Sequence, residues 1–303
     1  MTRLEYDRRA MSQAAVQVPS REIGADDPVP GVKNVILVMS GKGGVGKSTV
    51  ATNLALALKS LGLKVGLLDA DIYGPSIPTM LGVSGQPMSD GKKIQPLERF
   101  GVKLMSIGFL LEDAKSAVVW RGPMLHGALL QFLKDVEWGD LDFLLLDMPP
   151  GTGDVALTLS QRVRSNGAVI VTTPQEVALQ DVYKSVSMNQ KVGIPIVGVV
   201  ENESYFICGN CNERHELFGS GGGQKIADFA NAPLLGQIPL FPEVRKWGDA
   251  GVPVVEAAPG SPPAEAFTGV ARRLLESLNA SAGASVLNID RSGGQNRHLP
   301  ITR

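Results

Sequence analysis

The residues with the most chemical content lie between Gly41 and Thr49, Gly-Lys-Gly-Gly-Val-Gly-Lys-Ser-Thr. The spacing Gly41-x4-Gly46-Lys47-Ser48 is that of a phosphate-binding loop. Glycines there let backbone N–H groups converge on phosphate oxygens with no side chain in the way. The helix that follows adds the positive end of its dipole. Gly41, Gly43, Gly44, Val45, Gly46 and Thr49 then form the cradle. Lys47 neutralises the β- and γ-phosphates, and the Ser48 hydroxyl ligates Mg²⁺. Lys42 is a second lysine, one residue into the loop, where the pattern requires none. Its ammonium can reach a phosphate, including one held by a neighbouring subunit. The plain alternatives are a glycine-rich strand–helix turn and a solvated lysine.

Acids at two strand ends complete this chemistry. Asp69 and Asp71 close the run Leu67-Leu68-Asp69-Ala70-Asp71, and Asp147 closes Leu144-Leu145-Leu146-Asp147. Carboxylates at the C-terminal ends of adjacent parallel strands face the crevice where nucleotides bind. Asp71 is expected to position the attacking water and Asp147 to support Mg²⁺. A strand-end acid can also simply cap a helix. Pro149-Pro150-Gly151-Thr152-Gly153-Asp154 follows at once. Gly151 can offer its backbone N–H to the γ-phosphate, so that loss of the phosphate releases the loop. The plain reading of this segment is a rigid turn.

The chain has two cysteines, Cys208 and Cys211. They are too close to staple distant segments, which points to a reducing, intracellular setting. An iron–sulfur cubane normally takes four thiolates. One chain supplies two, so two chains about a two-fold axis would supply the set and be bridged by the cluster. Cys208-x2-Cys211-x3-His215 also fits zinc, with a fourth ligand from elsewhere. A thioredoxin-like pair is disfavoured because no helix opens at these cysteines. Unliganded thiols are the remaining reading. Gly219, Gly221, Gly222 and Gly223 would let the following loop move, or merely enter the next helix. His126, His298, Trp120, Trp138 and Trp247 read as packing or surface residues.

These groups need a scaffold of buried strands. Asn34–Ser40, Lys64–Asp69, Val102–Ile107, Phe143–Asp147, Ala168–Thr173, Ile196–Glu201 and Leu234–Ile238 are short and aliphatic. Helical spacing is expected over Val45–Leu61, Gly122–Lys134, Gln175–Gln190 and Ala264–Leu278. Near-continuous apolar strands suit a sheet covered on both faces. The predicted fold is α/β: a mostly parallel sheet with helices on both faces, as in P-loop NTPases. One domain is expected over 33–280, after a disordered leader at 1–32 and before a loose tail at 281–303.

The net charge is −1 and charged residues are 19% of the 303, below the usual ~25%. That balance argues against a broad nucleic-acid surface. No apolar run reaches the ~20 residues that span a bilayer. The first thirty residues mix arginines with acids and lack an apolar core, unlike a targeting segment. A cytoplasmic protein with no nucleic-acid or membrane partner is expected.

Lys42 within Gly41–Thr49 resembles the deviant Walker A loop of the ATPases that include MinD, ParA, the arsenite-pump ATPase and the nitrogenase iron protein. Asp69-Ala-Asp-Ile-Tyr-Gly-Pro-Ser-Ile-Pro78, Asp147-Met-Pro-Pro-Gly-Thr-Gly-Asp154, and Val200-Glu-Asn202 followed by Cys208-Gly-Asn-Cys211 are similar to the Mrp/ApbC group. Members of that group are iron–sulfur cluster carrier ATPases. The resemblance covers about residues 33–280. It implies a homodimer that binds and hydrolyses ATP near its interface, with Lys42 reaching across and Asn202 recognising adenine. It also implies a labile [4Fe–4S] cluster shared between subunits at Cys208 and Cys211 and passed to apo-proteins. Many bacterial members carry an additional N-terminal domain, and the roughly forty residues before this loop are too few for it. Phe241 stands where many members have Asp. The other classes weighed are a MinD- or ParA-type spatial organiser and a nitrogenase-like reductase. The organisers need an amphipathic membrane helix or a basic DNA-facing patch, and neither is evident here. The reductase pattern calls for well-separated cluster ligands.

Overall fold

The computed structural model describes residues 18–72, 74–110, 122–151 and 164–289. The chain runs β1 (Val32–Ser40), α1 (Lys47–Ser60), β2 (Val65–Asp69), α2 (Ile77–Met80), β3 (Leu97–Arg99), β4 (Val102–Ser106), α3 (Gly122–Asp135) and β5 (Leu141–Asp147). It continues with β6 (Gly167–Thr172), α4 (Glu176–Lys191), β7 (Ile196–Glu201), β8 (Phe206–Ile207), β9 (Arg214–His215) and α5 (Gly222–Ala230). The last elements are β10 (Leu234–Gln237), α6 (Pro242–Asp249), α7 (Val254–Ala257) and α8 (Pro262–Ile289). Eight strands form one sheet in the order β10-β7-β6-β1-β5-β2-β4-β3. All its pairs are parallel except β3 with β4. Ile36–Val38, Leu144–Leu146, Val169–Val171 and Val199–Val200 are buried because helices cover the sheet. α1 and α8 pack together with β2, β5, β7 and β10 beneath them, while α4 and α5 lie against β6 and β7.

Two features place the site. β1 sits between β6 and β5, so the chain leaves it in one direction and later returns on the other side. A crevice opens at such a reversal, at the C-terminal strand ends. The register then sets Asp69 opposite Asp147, and Asp147 opposite Val38. Apart from the C-terminal end of α8, the predicted strands and helices recur within one or two residues of their expected ends. The β8–β9 hairpin has no counterpart in the sequence reading, because two-residue strands carry no periodicity.

The ends of the chain differ from expectation where they are described. Residues 18–31 pack on the base of the sheet instead of forming a disordered leader. The buried Arg21 pairs with Asp27 and donates to the carbonyls of Val29 and Val32, and Asn34 Nδ2 donates to the Pro19 carbonyl at 2.6 Å. α8 does not stop near Leu278 but continues to Ile289. The added stretch is rich in alanine and contains no proline, so nothing ends the helix there. Residues 290–303, with His298, and Trp120 lie outside the described residues. Trp138 is buried, with Nε1 donating to the Phe132 carbonyl at 3.0 Å, and Trp247 packs on the core edge. Among the described residues, no helix is long and apolar enough to cross a membrane.

Candidate functional site

The loop from Gly41 to Gly46 links β1 to α1. Gly46 is the residue before α1, in the left-handed region at φ 79°, and a Cβ there would come within 2.2 Å of Asn202 Nδ2. Only glycine fits that conformation against that neighbour. No acid lies in the first turn of α1, so its N–H groups and dipole face the crevice without a protein counter-charge.

Lys47 is 6% exposed. Its Nζ lies 2.6 Å from Asp147 Oδ1 and 3.3 Å from Asp71 Oδ2. Ser48 Oγ donates to Asp147 Oδ2 at 2.5 Å. Four expected site residues, far apart in the chain, therefore converge in one cluster. Lys42 is half-buried at the loop rim and has no ion-pair partner among the described residues. The Gly151 N–H, expected to serve a phosphate, donates to the Ser40 carbonyl at 2.9 Å. That bond must break before the N–H can serve a ligand. Thr152–Asp154 lie outside the described residues.

Asp69 has a role that the sequence reading did not assign. It is fully buried and accepts from Ser106 Oγ at 3.0 Å and from the N–H groups of Asp71 at 3.2 Å and Ile77 at 3.3 Å. It frames the segment that carries Asp71. Burial first, then the negative charge of Asp147, pushes its carboxyl from 3.8 up to about 8. Asp147 is also raised, chiefly by burial, against the opposing pull of Lys47. Between pH 3.8 and about 8 the folded chain therefore keeps a proton that the unfolded chain releases. The contribution of Asp69 to stability is fully present below that window and is lost as pH rises through it, by at most about 1.4 kcal/mol per pH unit. Urea unfolding at several pH values should show this decline, and Asp69→Asn should flatten it. A decline of the same slope in the variant would assign it to another group.

Two connected hollows meet at this cluster. A pocket of about 230 Å³ is lined by the loop, Asp71 and Pro150. A cleft of about 590 Å³ adjoins it, sharing Gly46, Thr49 and Met80. Asn202, Glu203, Leu240, Phe241, Val244 and Arg245 line its far part. Such a volume, apolar with a few polar groups, is typical of a small-molecule site. Asn202 is buried at the junction, where its Nδ2 donates to the Val45 carbonyl at 3.0 Å.

Cys208 and Cys211 sit at the tip of the β8–β9 hairpin. The Cys208 N–H donates to the Glu213 carbonyl at 2.9 Å, and the Asn212 N–H donates back to the Cys208 carbonyl at 2.8 Å. Backbone N–H groups of Cys211 and Asn210, then the Cys211 thiol, hold the Cys208 thiol below its usual range. Thiolate character of this kind suits metal binding. Among the described residues, no group of three or more His, Cys, Asp or Glu is gathered to hold a metal. His215 instead pairs across the hairpin with Phe206. It does not complete a three-ligand set with the cysteines, so any further ligands must come from outside this group. Gly222 and Gly223 are packed glycines, not hinges. A Cβ would meet the Pro174 carbonyl oxygen at 2.8 Å from the first and Glu201 Cβ at 2.6 Å from the second.

The family described as ParA: NUBPL iron-transfer P-loop NTPase matches residues 31–275. The chain belongs to this family. As an iron-transfer P-loop NTPase it has close relatives. It is 54% identical over 251 residues to an iron-sulfur cluster carrier protein of Aquifex aeolicus, covering 81% of this chain and 68% of that one. The iron-sulfur cluster transfer protein NUBPL of Mus musculus is 45% identical over 281 residues, covering 92% and 88%. A nucleotide-binding protein from Archaeoglobus fulgidus, solved in complex with ADP, has a TM-score of 0.65 at 42% identity, covering 73% of this chain and 87% of its own. The cell division ATPase MinD of Pyrococcus furiosus has a TM-score of 0.61 at 26% identity, covering 80% and 98%. Neither Cys208 nor Cys211 lines the two hollows beside the glycine-rich loop.

Proposed function

We propose that this chain hydrolyses ATP and carries an iron–sulfur cluster, held between two copies, to recipient apo-proteins. The carrying observation is the hairpin: two thiols at an exposed tip, one with lowered pKa, and no third ligand gathered beside them among the described residues. Half a ligand set at a surface calls for a second half from another chain. A [4Fe–4S] cluster held by Cys208 and Cys211 of each copy satisfies that count. A cluster open to solvent at an interface is also easier to surrender than a buried one. The names of the relatives support the same reading.

For the nucleotide, the glycine cradle and the neighbouring cleft have the size and chemistry of a triphosphate and a base. The Ser48 hydroxyl and Asp147 carboxylate, already in contact, would hold Mg²⁺, which would neutralise phosphate charge. Lys47 would exchange its carboxylate partners for phosphate, Lys42 would reach the phosphates across the dimer, and Asp71 would orient water. Gly151 would serve the γ-phosphate after releasing Ser40. Asn202 would meet adenine from the cleft wall. Free thiols of this kind suit the reducing cytoplasm.

Phe241 lines the cleft, half-buried, and starts α6 without a side-chain cap. Phe241→Ala should weaken ADP binding about tenfold, the usual order for loss of an aromatic contact with a base. Calorimetry with pyrophosphate, which has no base, should show no change. Equal losses for both ligands would remove Phe241 from the base seat.

The function is tested by anaerobic reconstitution with iron and sulfide, followed by transfer to an apo-ferredoxin. About four irons per dimer and nucleotide-dependent transfer are expected. Equal transfer rates in wild type and Lys47→Ala would sink the coupling. The second reading, zinc at the same cysteines, is favoured by the N–H groups that stabilise a thiolate at Cys208. Stoichiometric zinc that iron cannot replace would decide for it.

A further inference from the structure

Glu201 ends β7 with its side chain fully buried. Oε1 accepts from the Ser204 hydroxyl at 2.5 Å and from Gln237 Nε2 at 2.8 Å, and Oε2 accepts from the Gly223 N–H at 2.5 Å. A buried carboxylate is costly unless hydrogen-bonded, and these three donors serve both of its oxygens. One side chain thus ties the end of β10, the first turn of α5 and the chain leaving β7.

That departing chain runs from the nucleotide site to the cysteines. Asn202 comes first, bonded to the Val45 carbonyl and pressed against Gly46. Glu203 lines the cleft at φ 52°, a left-handed conformation that a non-glycine residue holds only under constraint. The Ser204–Glu201 hydrogen bond closes this turn, and the Ser204 N–H is fixed to the Ile238 carbonyl at 2.9 Å. The Tyr205 carbonyl accepts from the Leu240 N–H at 2.7 Å, and the Arg214 guanidinium of β9 lies 3.7 Å over the Tyr205 ring. β8 and Cys208 follow. From Asn202 to Cys208 is at most about 20 Å of extended chain.

We propose that Glu201 is a positioning residue, through which the state of the phosphate loop reaches the cysteine hairpin. Its purpose rests on the carrier reading; its test does not. When phosphates move Val45 and Gly46, Asn202 is pushed against a turn that Glu201 and Ser204 keep rigid. A packed, hydrogen-bonded turn transmits such a displacement instead of absorbing it. The displacement passes into Tyr205 and the hairpin, altering how Cys208 and Cys211 are presented.

The test uses the whole chain, metal-free and anaerobic. Alkylation of Cys208 and Cys211 by iodoacetamide is timed with and without saturating ADP, and ADP affinity is measured in parallel. Wild-type rates should differ about fivefold or more between the two states, the lower end of usual site-to-site coupling. Ser204→Ala and Glu201→Gln should keep ADP affinity within about twofold while the nucleotide effect on alkylation shrinks below about twofold. A merely structural role would alter both states equally. If Glu201→Gln does not fold, Ser204→Ala, which removes a single hydroxyl, decides alone. Identical alkylation rates in wild type that binds ADP would overturn the proposal, as would an undiminished nucleotide effect in Ser204→Ala. A wild type that shows the effect but takes up no iron would defeat the carrier reading and leave this coupling standing.

Discussion

Lys47→Ala should lower the rate of ATP hydrolysis by at least about 10²–10³-fold, the usual loss when a preorganised charge-stabilising group is removed. The structure adds a second consequence. Lys47 is the cation between Asp147 and Asp71, at 2.6 and 3.3 Å, and is almost fully buried. Its removal leaves two acids, with Asp69 behind them, facing one another. Breaking a buried ion pair from one side typically costs about 3–5 kcal/mol. Asp147 is already raised by burial, and losing Lys47 removes the main influence that lowers it. It will therefore take up a proton more readily, and protonation relieves the repulsion. The destabilisation should accordingly be smaller in acid and larger near neutrality. Urea unfolding of wild type and variant at about pH 5 and pH 8 checks that sign. Hydrolysis within a few-fold of wild type would remove Lys47 from the chemistry.

The second large effect concerns the cargo. Cys208→Ala should reduce reconstituted iron from about four per dimer to nearly none. In the proposed two-fold dimer the damage is doubled, because one substitution removes two of the four thiolates. Cys211→Ala should do the same. His215→Ala should leave iron content unchanged, since His215 belongs to no ligand group with the cysteines. Iron analysis and the absorption of the reconstituted protein read all three variants. Dimer content measured with and without iron adds a check: a bridging cluster should raise it in wild type and not in Cys208→Ala. Iron retained in Cys208→Ala, or lost in His215→Ala, would require another ligand set.

The phosphate loop was legible in the sequence because its chemistry is local. Nine consecutive residues fix a backbone path, and their spacing survives any tertiary context. The strands were legible for a similar reason: runs such as Leu144–Leu146 are apolar throughout only where both faces are covered. Their acidic ends, Asp69 and Asp147, followed from the parallel arrangement, while Asp71 lies two residues beyond β2. Other features had no local signal. Arg21 looked like one charge in a polar leader, and the Asp27 carboxylate with the carbonyls of Val29 and Val32 makes its burial tolerable. Gly222 and Gly223 looked like a hinge until Pro174 and Glu201 were seen against them. Glu201 carried the same signal as Asp69 and Asp147, an acid closing an apolar run, but its donors come from Ser204, Gly223 and Gln237.

The sequence by itself determined that Gly41–Thr49 has the spacing of a phosphate-binding loop, that the scaffold is a mostly parallel α/β sheet, and that one chain offers two thiols. These depend on spacing, periodicity and count, which folding does not change. The tertiary structure decided which charges meet. It set Lys47 between Asp71 and Asp147, buried Asp69 behind them, paired His215 with Phe206 and joined the phosphate loop to the hairpin through Asn202 and Glu201. Those contacts depend on strand order and register across the whole chain, and interaction energies between charges change steeply over the few ångströms that register controls.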